Sequence, residues 1–321
     1  MKKILGMGNA LVDILIRLED EAILEKLELP KGSMQLVDAA RSKSVLGHFE
    51  QHPKSLSAGG SAANTIHGLA MLGVPVGYIG VIGEDELGGS FVKNMIDAGV
   101  EPYMIHSLQE TGRAVALISP DSERTFATFL GAAIELSAGH IDAFDFAKYN
   151  LLHIEGYLVQ NHELVKNAVK MAKENGLTVS LDLASYNVVE ANLDFLKGII
   201  RDYVDIVFAN EEEAMAFTGK EPVKAAEEIG KMAEIAVVKT GSKGSLVRSG
   251  KKSFEIGVIP VKPVDTTGAG DLYASGFLYG YATGLPLEKC GEIGAILAGN
   301  VIEVIGSKMS EHTWAEIRRS I

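Results

Sequence analysis

Val264-Asp265-Thr266-Thr267-Gly268-Ala269-Gly270-Asp271 runs straight into the apolar segment 272–281. A loop of small residues opens a helix here, and a carboxylate sits in the first turn. Backbone N–H groups at a helix start lack intrahelical partners and attract anions, and glycines let a phosphate approach them closely. An acid beside such a nest repels phosphate, so it calls for a second task. The task that suits it is taking a proton from a hydroxyl that attacks the phosphate. The helix dipole is expected to keep Asp271 ionised, a ready acceptor at neutral pH.

Upstream of this helix, strands and helices alternate. Strands are expected at 151–155, 177–183, 205–209, 235–240 and 245–248. A helix over 162–175 stops at Gly176, and Asn210-Glu211-Glu212-Glu213 opens another. The helix after Asp271 ends near Gly284, and Pro286 starts the next. This rhythm predicts an α/β fold with a largely parallel sheet covered on both faces. Ligands then bind at the carboxyl ends of the strands.

The first half is less regular, with strands at 4–7 and 76–81 and helices at 61–72 and 88–98. Inserts at about 15–53 and 101–130 break the rhythm. The second holds strands 112–119 and 124–130 around the turn Pro120-Asp121-Ser122-Glu123. Alternation there predicts a small antiparallel sheet with one exposed face. Such a sheet projecting from an α/β core suits a lid, which excludes water from phosphoryl transfer.

The bulk composition narrows the function classes. A chain of 321 residues with 47% hydrophobic and 22% charged residues is a globular protein with a large core. A net charge of −12 argues against nucleic acid and anionic membranes as partners. The single cysteine, Cys290, excludes an intramolecular disulfide and fits a reducing, cytoplasmic location. The opening residues 1–5 read as a strand, not a signal peptide, and no run of about 18 uncharged apolar residues predicts a membrane span.

Other motifs are ambiguous taken singly. Gly6-Met7-Gly8 follows a strand, but Leu11 stands where a dinucleotide fingerprint has its third glycine. No P-loop motif and no zinc-ligand spacing is present. Ala58-Gly59-Gly60-Ser61-Ala62-Ala63-Asn64 reads either as a glycine turn with Ser61 as N-cap, or as a place where a ligand meets the backbone. In the second case Asn64, with Asn9 and Asp13 near the first strand, suits the hydroxyls of a sugar. Asn210 and Glu213 are either a favoured acidic helix start or holders of the waters around Mg²⁺.

These elements, in this order, resemble the PfkB/ribokinase family of sugar and nucleoside kinases. The resemblance spans nearly the whole chain, through Gly8-Asn9 with Asp13, Ala58-Gly59-Gly60 with Asn64, Gly83-x-Asp85-x-x-Gly88, Asn210-x-x-Glu213 and the 265–271 loop. It implies a single ribokinase-like three-layer sandwich over 1–321 with a β-sheet lid. It implies Asp271 as catalytic base and Gly268, Ala269 and Gly270 as anion hole. Asn9, Asp13, Gly59, Gly60 and Asn64 would hold the acceptor. Thr240, Gly241, Gly244 and Thr267 would flank ATP, and Asn210 and Glu213 would order Mg²⁺. Asp265 and the Thr267 carbonyl match positions that hold a monovalent cation, such as K⁺, in some members.

The segment 29–38 and the strand before Arg124-Thr125-Phe126 resemble the adenosine-kinase-like branch, with Arg124 closing over phosphates. Tyr186, Phe126 and Met34 are candidates for stacking a base. The expected activity is ATP-dependent phosphorylation of a primary hydroxyl on a ribonucleoside, adenosine favoured, or on a furanose sugar. A binding protein on the same scaffold and a nicotinamide dehydrogenase are the other classes considered. The chain is expected as a monomer or as a homodimer joined through lid edges.

Overall fold

A computed structural model describes residues 1–121 and 123–321. The larger of its two sheets takes β1 (Ile4–Met7), β5 (Val76–Gly83), β6 (Val100–Ser107), β9 (Leu151–Glu155), β10 (Thr178–Asp182), β11 (Ile206–Asn210), β12 (Ile235–Lys239), β13 (Ser245–Ser249) and β14 (Lys252–Ile256). Their order is β14-β13-β12-β11-β10-β9-β1-β5-β6. Strands β12 through β6 are mutually parallel, and β13 and β14 turn back antiparallel.

The middle strands read as continuous apolar runs because helices cover both faces. Alternate residues feed two separate cores. Ile4, Ile206 and Phe208 face one cluster, with Ile66 and Phe277 from the Ser61–Met71 and Ala269–Thr283 helices. Leu5, Met7, Val207 and Ala209 face the other, with Val165 and Ile200 from the His162–Glu174 and Leu193–Tyr203 helices. The result is the expected three-layer α/β sandwich with a largely parallel sheet.

The smaller sheet contains β2 (Leu11–Arg17), β3 (Met34–Leu36), β4 (Ser55–Gly59), β7 (Gly112–Ile118) and β8 (Arg124–Phe129), in the order β3-β8-β7-β2-β4. It departs from the sequence reading in three respects. Residues 100–107 pair with β5 and belong to the large sheet, whereas β2 and β4 extend the small sheet beyond the expected inserts. The sheet is mixed, because β2 runs parallel to β7 and β3 parallel to β8. Strand β7 is buried along its whole length instead of showing one wet face. The expected turn at 120–123 includes Ser122, which lies outside the described residues.

Gly6-Met7-Gly8 leads into strand β2 instead of a helix, which removes the dinucleotide reading. No described helix is long and apolar enough to cross a membrane.

Candidate active site

The carboxyl ends of the large-sheet strands and one face of the small sheet enclose a cleft of about 590 Å³. Asp182, Asn210 and Lys239 line it from the last residues of β10, β11 and β12. Asp13, Leu15, Arg124 and Phe126 line it from the small sheet, and Thr267, Gly270 and Asp271 from the 265–271 loop. A cleft thus lies at the strand ends, where the sequence places ligand binding.

Gly60, not Ser61, precedes the Ser61–Met71 helix, with φ +96°. A Cβ there would run into the Asn9 carbonyl, and a Cβ on Gly59 into the Asp13 carboxylate. The two glycines thus let the turn close against β2 and leave Asp13 its place. Ser61, freed from capping, donates its hydroxyl to Asp271 Oδ1 at 2.7 Å. Asn64, one turn further, donates from Nδ2 to Asp271 Oδ2 at 3.0 Å. The Asn64 carbonyl accepts from Ser307 Oγ at 2.8 Å and Lys308 Nζ at 3.2 Å, which fixes the amide's orientation. Asn9 does not line the cleft; its amide donates to Glu155 Oε1 at 2.6 Å behind the wall.

The Ala269–Thr283 helix begins after Gly268, which has φ +77° and supplies no side-chain cap. The Ala269 N–H is engaged by the Thr266 carbonyl at 3.2 Å. No described acceptor reaches the N–H groups of Gly268, Gly270 or Asp271, so these remain open to an anion.

Burial pushes the Asp271 carboxyl up to about 6, against the lowering pull of hydrogen bonds from Ser61 and Asn64. Desolvation is the largest influence, so the carboxyl sits higher than the helix start alone would suggest. The residue is still mainly ionised at neutral pH, and it is a stronger base than a free aspartate. Burial likewise raises Asp13 to about 6, with Lys308 and Arg124 opposing it.

On the opposite side, Asn210 and Glu213 close a capping box. The Asn210 side chain accepts from the Glu213 N–H, and Glu213 accepts from Asn210 N and Nδ2, each at 2.8 Å. Both still line the cleft beside Glu211, Glu212 and Asp182. The side-chain oxygens gathered here suit Mg²⁺ held through waters rather than directly. Among the described residues no cluster of three or more His, Cys, Asp or Glu side chains forms a direct metal cage. Gly241 reaches the cleft, whereas Thr240 bonds the Gly244 carbonyl at 2.9 Å and shapes the turn behind it.

Arg124 and Asp265 form a buried ion pair. Asp265 also accepts from Thr267 N at 3.0 Å and Gly306 N at 2.7 Å. The guanidinium thus stands at the carboxylate where the resemblance places a monovalent cation. As arranged, the residues do not fit a second cation there. Of the three candidates for stacking a base, Phe126 lines the cleft, Met34 is half exposed beside it on β3, and Tyr186 is not in the wall. Asp85 caps the Glu86–Asp97 helix through the Gly88 N–H at 2.8 Å and binds Thr111, a structural junction away from the cleft.

The pfkB family model of carbohydrate kinases matches residues 34–314. The chain belongs to the pfkB family of carbohydrate kinases. A *Saccharomyces cerevisiae* adenosine kinase is 31% identical over 94% of this kinase and 94% of its own length. A *Thermococcus kodakarensis* cytidine kinase is 31% identical over 82% of this chain and 96% of its own. The crystal structure of adenosine kinase from *Sinorhizobium meliloti* superposes with a TM-score of 0.89 at 32% identity, covering 100% of this kinase and 99% of that chain.

The protein is therefore a phosphotransferase acting on a hydroxyl group, of the ribokinase-like fold and the adenosine-kinase-like branch. This excludes the dehydrogenase and binding-only readings. Several residues that line or brace the cleft were not singled out from the sequence as site residues: Ser61, Tyr157, Asp182, Lys239, Ser307 and Lys308, with Glu155 behind the wall. Asp182 and Lys239 each end a parallel strand, and that position was the available signal.

Proposed function

We propose that this kinase transfers the γ-phosphoryl group of ATP to the 5′-hydroxyl of a ribonucleoside, with adenosine the favoured acceptor. The observation that carries the reading is the shared wall of Asp13, Phe126 and Asp271 in one cleft. A carboxylate suited to two vicinal hydroxyls, an aromatic ring and a buried base there match a ribose, a nucleobase and a reacting hydroxyl. The adenosine and cytidine kinase relatives support the same class.

In this reading Asp13, Gly59 and Gly60 seat the ribose, and Asn64 holds Asp271 in line. Asp271 takes the hydroxyl proton as the oxygen attacks the γ-phosphorus and the bond to the bridging oxygen of ADP breaks. The open amides of Gly268, Gly270 and Asp271 stabilise the charge on the equatorial oxygens. Thr267 and Gly241 flank ATP, with Thr240 and Gly244 shaping the turn. Asn210 and Glu213 would order the waters of Mg²⁺, which would neutralise phosphate charge. The chain works as one unit over 1–321. Its small sheet serves as the lid, and its edge strands β3 and β4 are where a homodimer would join.

The test is ADP release measured over adenosine, inosine, cytidine, ribose and fructose. Adenosine should give the highest kcat/KM. Strong turnover on a free hexose alone would overturn the nucleoside assignment.

A further inference from the structure

We propose that Lys239 is a catalytic residue whose ammonium meets the γ-phosphoryl oxygens during transfer. This rests on the phosphoryl-transfer reading above, and it goes beyond the glycine loop and Asp271.

Lys239 is the last residue of β12 and lines the cleft. Its Nζ lies 3.0 Å from where a Cβ on Gly270 would stand, beside the loop whose amides are open. The only hydrogen bond it makes to a described residue is to Asp182 Oδ2, at 2.9 Å. An ammonium has three donors, so two remain to be directed elsewhere.

The charge balance of the cleft argues for the same role. Asp13, Asp182, Glu211, Glu212, Glu213 and Asp271 all line it, and a polyphosphate must enter among them. Among the described residues Arg124 and Lys239 line it as cations; Lys308 lies behind the acceptor side, bonded to Asn64, and Arg124 is committed to Asp265. Lys239 is thus the cation at the phosphoryl end. Burial works against its charge, but Asp182 and Glu213 outweigh burial and hold it above the usual lysine range. It stays an ammonium throughout and exchanges no proton. Asp271 receives the acceptor's proton, and ADP leaves with the electron pair of the broken P–O bond. With three rotatable donors, the ammonium can keep its bond to Asp182 and still donate to phosphate.

The experiment compares binding of the Mg²⁺ complexes of β,γ-imido-ATP and of ADP to wild type and Lys239→Met by calorimetry. A charge-assisted bond to the γ-phosphate predicts that affinity for the imido analogue falls about 10- to 100-fold, with ADP affinity unchanged. Equal losses for both nucleotides, or no loss for either, overturn the proposal. If Lys239→Met does not fold because three acids are left facing each other, the double variant D182N/K239M removes one acid with the lysine. It should show the same selective loss. Wild-type protein inactive on every acceptor would sink the acceptor assignment alone, because the nucleotide comparison needs no turnover.

Discussion

Ser61 donates its hydroxyl to Asp271 Oδ1 at 2.7 Å, joining residues 210 positions apart in the chain. The bond stabilises the carboxylate and opposes the burial that raises its pKa. Ser61→Ala should therefore raise the Asp271 pKa further. Because kcat/KM reports the free enzyme, its acid limb should move up by roughly half to one unit. In wild type that limb should fall near pH 6 and steepen toward the loss of two protons, since Asp13 also titrates at about 6. A pH–rate profile of the two proteins checks both statements.

Asp271→Asn should lower kcat by about 10²- to 10⁴-fold while ATP still binds. It should also stabilise the fold. The carboxyl has a folded pKa of about 6 against 3.8 for an unperturbed aspartate. Its favourable contribution is thus full below 3.8 and is lost as pH rises through about 6. At pH 8 the substitution should raise stability by about 1–2 kcal/mol, a shift of roughly 1.5–3 °C in Tm for a chain of this length. The gain should shrink as pH falls toward 5. Thermal melts across that range read the sign directly.

The Arg124–Asp265 pair predicts indifference to monovalent cations. Turnover should be unchanged when K⁺ is replaced by tetramethylammonium. Arg124→Gln removes the guanidinium and leaves Asp265 buried without its cationic partner, a costly arrangement. That variant should be slower, and its residual activity should rise with added K⁺. A cation titration of both proteins decides the matter.

Gly60→Ala should be among the most damaging small substitutions. Its φ of +96° is strained for any residue with a Cβ, and the added methyl meets the Asn9 carbonyl. A loss of about 2 kcal/mol or more is expected, with a raised acceptor KM, because the turn that seats Asp13 must open. Denaturant unfolding and acceptor titrations measure the two effects.

The Gly268–Asp271 loop was legible because its signal is local: glycines at a helix start with an acid one turn in. Asp13, Asn64 and the Asn210/Glu213 pair became readable through their co-occurrence with it. Lys239, Asp182 and Glu155 carried no comparable local mark. Each is simply the last residue of an apolar strand, and only sheet order brings them together. The small sheet was misjudged for a related reason. Leu11 pairs in parallel with Gly112, a partnership that alternation within either strand cannot reveal. The direction of the Asp271 shift was missed because burial is a property of the assembled cleft, whereas the helix dipole can be read from its neighbours.

Strand β1 is an interior strand of the large sheet, with Ile4 paired to Val76 on one side and to Leu151 on the other. During synthesis this strand must therefore wait for residues near 155 before both its edges are closed. Until then a nascent chain carries an apolar strand with an open flank, the kind of exposure that favours chaperone capture or aggregation. The flank of β1 that faces β9 is closed only after about 150 further residues have been made.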